Sequence, residues 1–285
     1  MGSEGLRQAF ERNNMLKYGY DASWDILDID KLKLAPTYFM RGFLPGRVEI
    51  AKQLDCFKAS WRSESYYTHR GELDASTKSA IDNQKYFDMY FVTAETDLDK
   101  YDIPTVFLPS WADISVLDEV GKPELEGLGF IGGTDEREVF LNGDIRGIIH
   151  RKRTELHRTP IEKAKAYAKL IGKFDMLVSP QGRCFNGMCG RAFEIMACKR
   201  LCFQYLNPDT MFKTSIYFRD GKDIVYYRDW DELNEKYEYY LTHPKEKNRI
   251  AQSGYDTVRE FHNENVRAKY IVECMEKGIE NDTRQ

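Results

Sequence analysis

The chain has 285 residues, of which 42% are hydrophobic and 31% are charged, and its net charge is −4. This composition argues against a disordered protein, and the length suits one large α/β unit or two ordinary domains. The overall acidity argues against a nucleic-acid coat or general binding to anionic membranes, and no apolar stretch of about 20 residues predicts a membrane span or signal peptide. We therefore expect a cytoplasmic globular protein.

Short apolar runs alternate with longer amphipathic ones along the chain, which indicates βα units and mostly parallel sheets. In chain order, the predicted strands are Ile26–Ile29, Cys56–Trp61, Asp88–Thr93, Thr105–Leu108, Leu128–Ile131, Asp175–Ser179, Leu201–Tyr205 and Ile224–Tyr226. The predicted helices are Gly5–Met15, Arg47–Leu54, Ala75–Lys85, Arg137–Glu155, Pro160–Gly172, Arg191–Cys198, Trp230–Leu241, Pro244–Phe261 and Glu264–Ile279.

A polar segment, GKPELEG, lies in a seam that extends from Ile114 to Gly127 and separates two sets of βα units. The seam predicts a first domain over residues 1–120 and a second over 121–262, followed by a last helical segment over 263–285. The chain opens on a helix-like segment rather than on a strand with a glycine loop. The N-terminal domain is therefore expected to be abbreviated.

Gly132 and Gly133 follow the predicted strand LGFI and precede a Thr-Asp-Glu-Arg segment that ends in Arg137. A glycine turn between a strand and a helix lets backbone amides approach a phosphate closely, and the helix N-terminus adds partial positive charge. The alternative is a tight turn that binds nothing.

Arg191 and Glu194 open an otherwise apolar helix that follows the strand and loop FDMLVSPQG. At the carboxyl end of a strand, both side chains could face the place where α/β folds bind ligands. Arginine offers several donors to a diphosphate, and a carboxylate accepts from two ribose hydroxyls at once. The pair predicts a nucleotide-sugar site; the alternative is an i,i+3 ion pair that closes the start of the helix.

The chain resembles a known family from about Asp175 to Met275, namely the C-terminal domain of group 1 glycosyltransferases, and most closely the spore-maturation, CgeB-like branch. Weaker similarity lies in GFIGG and at Pro109 and Asp113. The residues that carry the resemblance are Arg191-Ala192-Phe193-Glu194, Asp223-Ile224-Val225-Tyr226, Asp231-Glu232-Leu233, His243-Pro244, Ile250-Ala251, Gly254, His262 and Arg267.

The resemblance implies a GT-B architecture, in which two Rossmann-like domains with parallel sheets face a cleft and the last helix, within 263–285, returns to the N-terminal domain. It implies a glycosyltransferase that moves a sugar from a nucleotide-sugar donor, expected to be a UDP-sugar, to an acceptor hydroxyl. No metal and no further cofactor are implied, because protein cations and helix dipoles stabilise the departing diphosphate. The predicted donor-binding residues are Gly132, Gly133, Arg137, Arg191 and Glu194.

Two departures from the family pattern concern the nucleotide helix. Lys199 and Arg200 stand where family members carry a small residue or glycine. Asn186 stands where the wider group has the first glutamate of a Glu-x7-Glu pair. Because that glutamate lies near the donor sugar in the wider group, the sugar and the stereochemistry of transfer stay open.

Residues that follow predicted strands of the first domain are candidates for the acceptor side. A base for the acceptor hydroxyl is needed if configuration inverts, and Glu64, His69 and Asp113 are the candidates. Arg62 could hold an anionic acceptor, and the Trp111 ring could pack on a sugar. Ordinary surface or structural roles are the alternative for each of these residues.

Two other functions remain open from the sequence. The basic cluster from Arg146 to Arg158 could serve a glycosyltransferase that modifies hydroxymethylated bases in phage-type DNA. A catalytically inactive nucleotide-sugar-binding protein is the other alternative. Four cysteines lie between Cys184 and Cys202 without a CxxC pair or a companion histidine pair, so we expect reduced thiols rather than a zinc site.

Overall fold

A computed structural model describes residues 6, 8–10, 12, 20–21, 37–41, 45–62, 73, 75–118, 121–132, 147–151, 160–180, 188–206 and 217–282. The strands in these ranges are β1 (Tyr20–Asp21), β2 (Thr37–Arg41), β3 (Phe57–Arg62), β4 (Met89–Val92), β5 (Thr105–Phe107), β6 (Leu125–Ile131), β7 (Ile148–Arg151), β8 (Phe174–Ser179), β9 (Leu201–Tyr205) and β10 (Val225–Tyr227). The helices are α1 (Pro45–Ala51), α2 (Ala75–Asn83), α3 (Pro160–Gly172), α4 (Gly190–Ala197), α5 (Trp230–Thr242), α6 (Pro244–Phe261) and α7 (Glu264–Asp282).

The chain divides into two compact units, here called the N-terminal unit and the C-terminal unit. The N-terminal unit comprises Gly2–Pro109 together with Glu264–Gln285, and the C-terminal unit comprises Ser110–Asn263. The predicted boundary between domains lay after residue 120, whereas the compact units divide before Ser110.

The N-terminal unit contains a parallel sheet in the order β1-β2-β3-β4-β5. One face buries Tyr38, Met40 and Tyr90 against Val48 of α1 and Ala80 of α2. Because both neighbours of an inner strand are parallel and covered, its residues are apolar in continuous runs, as MYFV of β4 shows.

The last helix of the chain, α7, belongs to the N-terminal unit. Its Tyr270 hydroxyl donates to the carbonyl of Phe107 at 3.2 Å. Its Arg267 Nε donates to the carbonyl of Pro109 at 2.9 Å in a buried position. These bonds hold the helix against the end of β5.

The C-terminal unit contains a parallel sheet in the order β10-β9-β8-β6-β7. The chain runs from β6 outward to the edge strand β7 and then returns to β8 on the other side of β6. The strand order therefore reverses between β6 and β8, and such a reversal leaves a crevice at the carboxyl ends of the two strands.

Three predicted elements are confirmed to the residue: the helices Pro160–Gly172 and Pro244–Phe261 and the strand Leu201–Tyr205. The predicted helix Arg137–Glu155 is wrong where the structure describes it, because Ile148–Arg151 form β7. Gly147 just before it has φ 64°, which an α-helix interior does not accommodate.

Two strands, β1 and β2, were not predicted at all, and one predicted strand lies beyond the described residues. Thr37–Arg41 form β2. Polar and apolar side chains do not alternate clearly along these five residues, so their sequence did not indicate a strand. The predicted strand Ile26–Ile29 lies outside the described residues.

Candidate functional site

The candidate site lies at the carboxyl ends of β6 and β8, where the order of the C-terminal sheet reverses. β6 ends at Ile131 and is followed by the buried Gly132. β8 ends at Ser179, and the chain enters α4 at Gly190. Open α/β sheets bind their ligands at this kind of position.

The N-terminus of α4 is tied to the end of β8. The hydroxyl of Ser179 and the thiol of Cys189, the N-cap residue of α4, lie 3.2 Å apart in a hydrogen bond. The Cys189 side chain makes no capping bond to the first turn of the helix. The first amides of a helix have no acceptor within it, and they carry the positive end of the helix dipole, so this end of α4 favours an anion.

Arg191 lies in the first turn of α4, and its guanidinium carbon is 5.3 Å from the centroid of the Phe130 ring of β6. The Tyr167 hydroxyl on α3 is near enough to the Arg191 guanidinium to raise the arginine pKa. Its Nε and Nη1 atoms are buried and meet no hydrogen-bond acceptor among the described residues. The side chain thus reaches from α4 to the end of β6 with donor groups still available.

Groups next to Arg191 favour the charged form of its side chain. Burial of the guanidinium opposes the charged form, but the Cys189 sulfur, the Tyr167 hydroxyl and the Glu194 carboxylate together raise its pKa. Arginine is charged at any physiological pH in any case. The end of the sheet therefore carries a fixed, partly buried positive charge beside the helix N-terminus.

Glu194 lies one turn further along α4 and is half-buried. Its carboxylate is near enough to Arg191 to raise the arginine pKa. Burial raises the pKa of the Cys198 thiol, and Glu194 adds to that effect. A cation and an anion thus share the outer turn of one helix, whose other residues, such as Phe193 and Ile195, are buried in the core.

Several predicted site residues lie outside the described part of the chain. They are Glu64, His69, Gly133 and Arg137. The structure therefore describes Gly132, Arg191 and Glu194 of the predicted donor set, and it brings all three to the carboxyl end of the C-terminal sheet.

The remaining predicted residues are buried and lie in different units. Arg62 ends β3 in the N-terminal unit, where its guanidinium donates to the hydroxyl of Thr77 at 2.9 Å. Trp111 and Asp113 belong to the C-terminal unit, and the Asp113 carboxylate accepts from the Ser115 hydroxyl at 2.6 Å. Their proposed roles toward an acceptor stay predictions.

Phe130 and Tyr167 are the site residues that the sequence did not reveal. Phe130 sits in an apolar strand and Tyr167 on the buried side of an amphipathic helix, so both have the pattern of core residues. Tyr167 is separated from α4 by the whole of β8 and the segment after it, so no residue spacing in the sequence relates it to Arg191. Only the folded chain brings these two side chains to Arg191.

Neither a metal cluster nor a membrane helix is found in the described ranges. No group of three or more His, Cys, Asp or Glu side chains among those residues is placed to hold a metal ion. No described helix combines the length and the apolar character needed to cross a lipid bilayer. The described cysteines, Cys56, Cys189, Cys198, Cys202 and Cys274, are free thiols.

Residues 144–273 match the model of a family described as "Glycosyl transferase-like". The matched segment is a little less than half of the chain and contains β7 to β10 and helix α4 with Arg191 and Glu194. No curated protein matches the chain in sequence.

Solved glycosyltransferase structures have the same fold at low sequence identity. A sucrose-phosphate synthase from Thermosynechococcus elongatus superposes with a TM-score of 0.62 at 12% identity, covering 87% of this chain and 77% of that one. Anabaena HepE in complex with UDP-glucose gives 0.60 at 6% identity, with 87% and 80% covered. A glycosyltransferase from Rickettsia africae ESF-5 gives 0.56 at 9% identity, with 98% and 81% covered. The chain therefore has the fold of GT-B glycosyltransferase structures, and residues 144–273 are similar to the family described as "Glycosyl transferase-like".

Proposed function

We propose that the protein transfers a sugar from a nucleotide-sugar donor to an acceptor hydroxyl. The observation that carries the proposal is Arg191, a partly buried cation with available N–H groups at the N-terminus of α4, where the sheet order reverses. An unpaired buried donor is costly, and an anionic ligand at this point would remove that cost.

The donor diphosphate would lie between the start of α4 and the end of β6. The Arg191 guanidinium and the first amides of α4 supply donors, and Gly132, which follows β6, allows the backbone to approach closely. Glu194, one turn away, would accept from the ribose hydroxyls. This arrangement matches the two chemical ends of a nucleoside diphosphate, which are anionic phosphates and a neutral diol.

The same groups would stabilise the leaving diphosphate during transfer. Negative charge grows on the β-phosphate as the bond to the sugar breaks, and a fixed guanidinium with aligned amides lowers the energy of that charge. We propose on this ground that transfer is metal-independent and that the donor is a UDP-sugar. The complex of HepE with UDP-glucose supports the choice of uridine as the first nucleoside to test.

A thermal-shift experiment tests the donor site directly. Wild-type protein is melted with UDP, ADP, GDP and their glucose conjugates, each at a hundredfold excess over its dissociation constant. A ligand that binds only the native state should stabilise it by about 2.7 kcal/mol under these conditions. Arg191→Ala and Glu194→Ala should lose this shift, whereas Glu238→Ala, which removes an exposed carboxylate from α5, should keep it.

The outcomes separate the possible functions. Equal shifts in the wild-type protein and in both site variants would remove α4 from the donor site. Binding without any slow hydrolysis of the donor would indicate a catalytically inactive nucleotide-sugar-binding protein. Donor turnover that requires duplex DNA with hydroxymethylated bases, and whose DNA affinity falls steeply with salt, would identify DNA as the acceptor.

A further inference from the structure

Gln204 carries a buried carbonyl oxygen without a partner near the carboxyl end of the C-terminal sheet. It is the residue before the last in β9, and 3% of its surface is exposed. Its amide Nε2 donates to the carbonyl of Tyr205 at 2.8 Å. Its Oε1 is buried and accepts no hydrogen bond from the part of the chain that the structure describes. Buried polar atoms without a partner are rare in folded proteins, so this oxygen calls for a ligand or another group that completes it.

The orientation of the Gln204 amide decides what the missing partner must be. A carbonyl oxygen only accepts, so the bond to Tyr205 requires the NH2 group of Gln204 on that side. Oε1 is then on the other side of the amide and needs a hydrogen-bond donor. Phosphate oxygens of an ionised diphosphate accept hydrogen bonds, whereas hydroxyl groups donate them. The partner of Gln204 is therefore a group other than the diphosphate.

Gln204 lies on the face of the sheet that α4 covers. Side chains alternate between the two faces along a strand, and Cys202, two residues earlier, packs in the same core cluster as Phe193 of α4. Gln204 pairs in register with Ser179 at the end of β8, so the two side chains are neighbours on that face. The Ser179 hydroxyl is 3.2 Å from the sulfur of Cys189, the N-cap residue of α4. Gln204 thus lies beside the end of α4 that favours an anion.

The charged residues of α4 follow from this end of the helix in a definite order. Arg191 is close to the same face of β9, because burial raises the pKa of the Cys202 thiol and the charge of Arg191 opposes that rise. Glu194 lies one turn further along α4. The order is therefore an acceptor beside the N-cap, then a cation, then a carboxylate. A nucleotide sugar has the complementary order of sugar hydroxyls, diphosphate and ribose hydroxyls.

We propose that Gln204 is a specificity-determining residue whose Oε1 accepts a hydrogen bond from a hydroxyl of the transferred sugar. The inference rests on the proposed function, and it adds to the site a contact that neither the diphosphate nor the nucleoside makes. Glu194 takes the ribose hydroxyls, and the base lies beyond the ribose. The sugar hydroxyls are the donors on the other side of the diphosphate, where Gln204 lies.

The test measures how much affinity the sugar adds to the diphosphate. The nucleoside diphosphate that stabilises the wild-type protein most, of UDP, ADP and GDP, is compared by calorimetry with its glucose, galactose and N-acetylglucosamine conjugates. The conjugate that binds most tightly is the probe. Gln204→Met removes the amide and keeps a side chain of similar length, and Gln204→Leu replaces it in the test if the methionine variant does not fold.

Tyr226→Phe is the matched control for these variants. Tyr226 is the neighbour of Gln204 in register on β10, and its buried hydroxyl donates to the Phe218 carbonyl at 3.3 Å. The control therefore removes one buried hydrogen bond to a backbone carbonyl next to Gln204, as Gln204→Met does at Tyr205, and it leaves Oε1 of Gln204 in place.

We expect Gln204→Met to weaken binding of the probe about tenfold, the usual effect of losing a buried hydrogen bond. Binding of the diphosphate alone should not change, and Tyr226→Phe should leave both affinities as they are. Deoxy analogues of the probe, each lacking one sugar hydroxyl, identify the contact. The wild-type protein and Gln204→Met should bind one of these analogues equally well, because the hydroxyl that Gln204 recognises is absent from it.

Three results would overturn the role of Gln204. They are an unchanged affinity of Gln204→Met for the probe, an equal weakening of probe and diphosphate, and a loss of the same size with every deoxy analogue. The proposed donor site stands in each of these cases if Arg191→Ala still weakens binding of the diphosphate. If the wild-type protein binds none of the diphosphates and none of their sugar conjugates, the proposed function fails, and the role of Gln204 fails with it.

Discussion

Lys199 follows the last turn of α4 with φ 55°, in the left-handed region of backbone space. Related sequences of the resembled family carry a small residue or glycine here. A side chain with a Cβ atom is strained in this conformation by about 1 kcal/mol. The Lys199 ammonium lies 5.8 Å from the centroid of the Tyr255 ring, a cation–π contact that partly offsets the strain.

Replacing Lys199 separates the strain from the contact. Lys199→Ala removes the contact with Tyr255 and keeps the strain, whereas Lys199→Gly removes both. We expect the glycine variant to have a free energy of unfolding about 1 kcal/mol higher than the alanine variant. Urea unfolding measures this difference, and an alanine variant as stable as the glycine variant would contradict the prediction.

Sequence reasoning singled out the charged residues of the candidate site but not the aromatic residues near them. Arg191 and Glu194 stand out because two charges open an apolar helix after a buried strand. Phe130 of β6 makes a cation–π contact with Arg191, and Tyr167 of α3 is near enough to raise the arginine pKa. Their role arises from tertiary packing, which leaves no local pattern in the sequence.

Helix α4 is supported by two residues of the family pattern that are far from it in the sequence. Gly254 of α6 faces α4, where an added Cβ would lie 2.4 Å from the Asp223 carbonyl oxygen and 3.1 Å from the Met196 sulfur. The His262 ring, at the end of α6, lies 5.6 Å from the Phe193 ring of α4, centroid to centroid. These motif residues therefore serve the packing that holds α4.

The start of α5 is stabilised by charge. The Glu232 carboxylate accepts from the Arg228 guanidinium at 3.0 Å and pairs with the Lys236 ammonium at 2.8 Å, while Asp229 caps the helix by accepting from the Glu232 amide. Burial opposes ionisation of Glu232, but the bonds from Arg228 and Lys236 outweigh it and lower its pKa to about 2.

A carboxylate whose pKa is lowered in the folded state stabilises that state above its unfolded pKa of 4.5 and loses this effect as the pH falls toward 2. Since Arg228 is largely exposed, solvent screening reduces the gain to about 1–2 kcal/mol. Glu232→Gln should therefore be less stable than wild type by this amount at pH 7, and the difference in the free energy of unfolding should shrink as the pH falls from 4.5 toward 2. Urea unfolding of both proteins across this pH range measures the difference, and Glu238→Gln is the control. A difference in the free energy of unfolding that stays constant at all pH values would rule out the charge of Glu232 as its cause.

Helices were predicted correctly where the spacing of the apolar residues and a residue that marks the start of the helix agree. The helices α3 and α6 each begin with a proline, which favours the first helical position, and carry an amphipathic pattern. The region of β7 lies within the predicted helix Arg137–Glu155, which is rich in charged residues. Gly147 and the β-branched pair Ile148 and Ile149 were the contrary signals, and pairing with β6 decided the outcome.

At the scale of the whole molecule, the N-terminal unit is built from both ends of the chain. Five strands come from the first 109 residues, and α7 comes from the last 22. The parallel pairing followed from alternating apolar and amphipathic runs, whereas the order of the strands was not predicted. The attachment of α7 to this unit came from the family resemblance, because no local pattern tells which core a terminal helix will cover.

Arg267 provides the test of this arrangement. It is 6% exposed, and its replacement by Met leaves the Pro109 carbonyl without the guanidinium, which costs about 1–3 kcal/mol. Hydrogen exchange followed by mass spectrometry should show faster exchange in α7 and β5, while β8 and β9 keep their protection. The control is Arg259→Met, which removes the contact with Asp118 in the C-terminal unit and should leave α7 unchanged. Loss of protection spread evenly over both units in the Arg267 variant would mean that the two units unfold together, and that α7 is not a local part of the N-terminal unit.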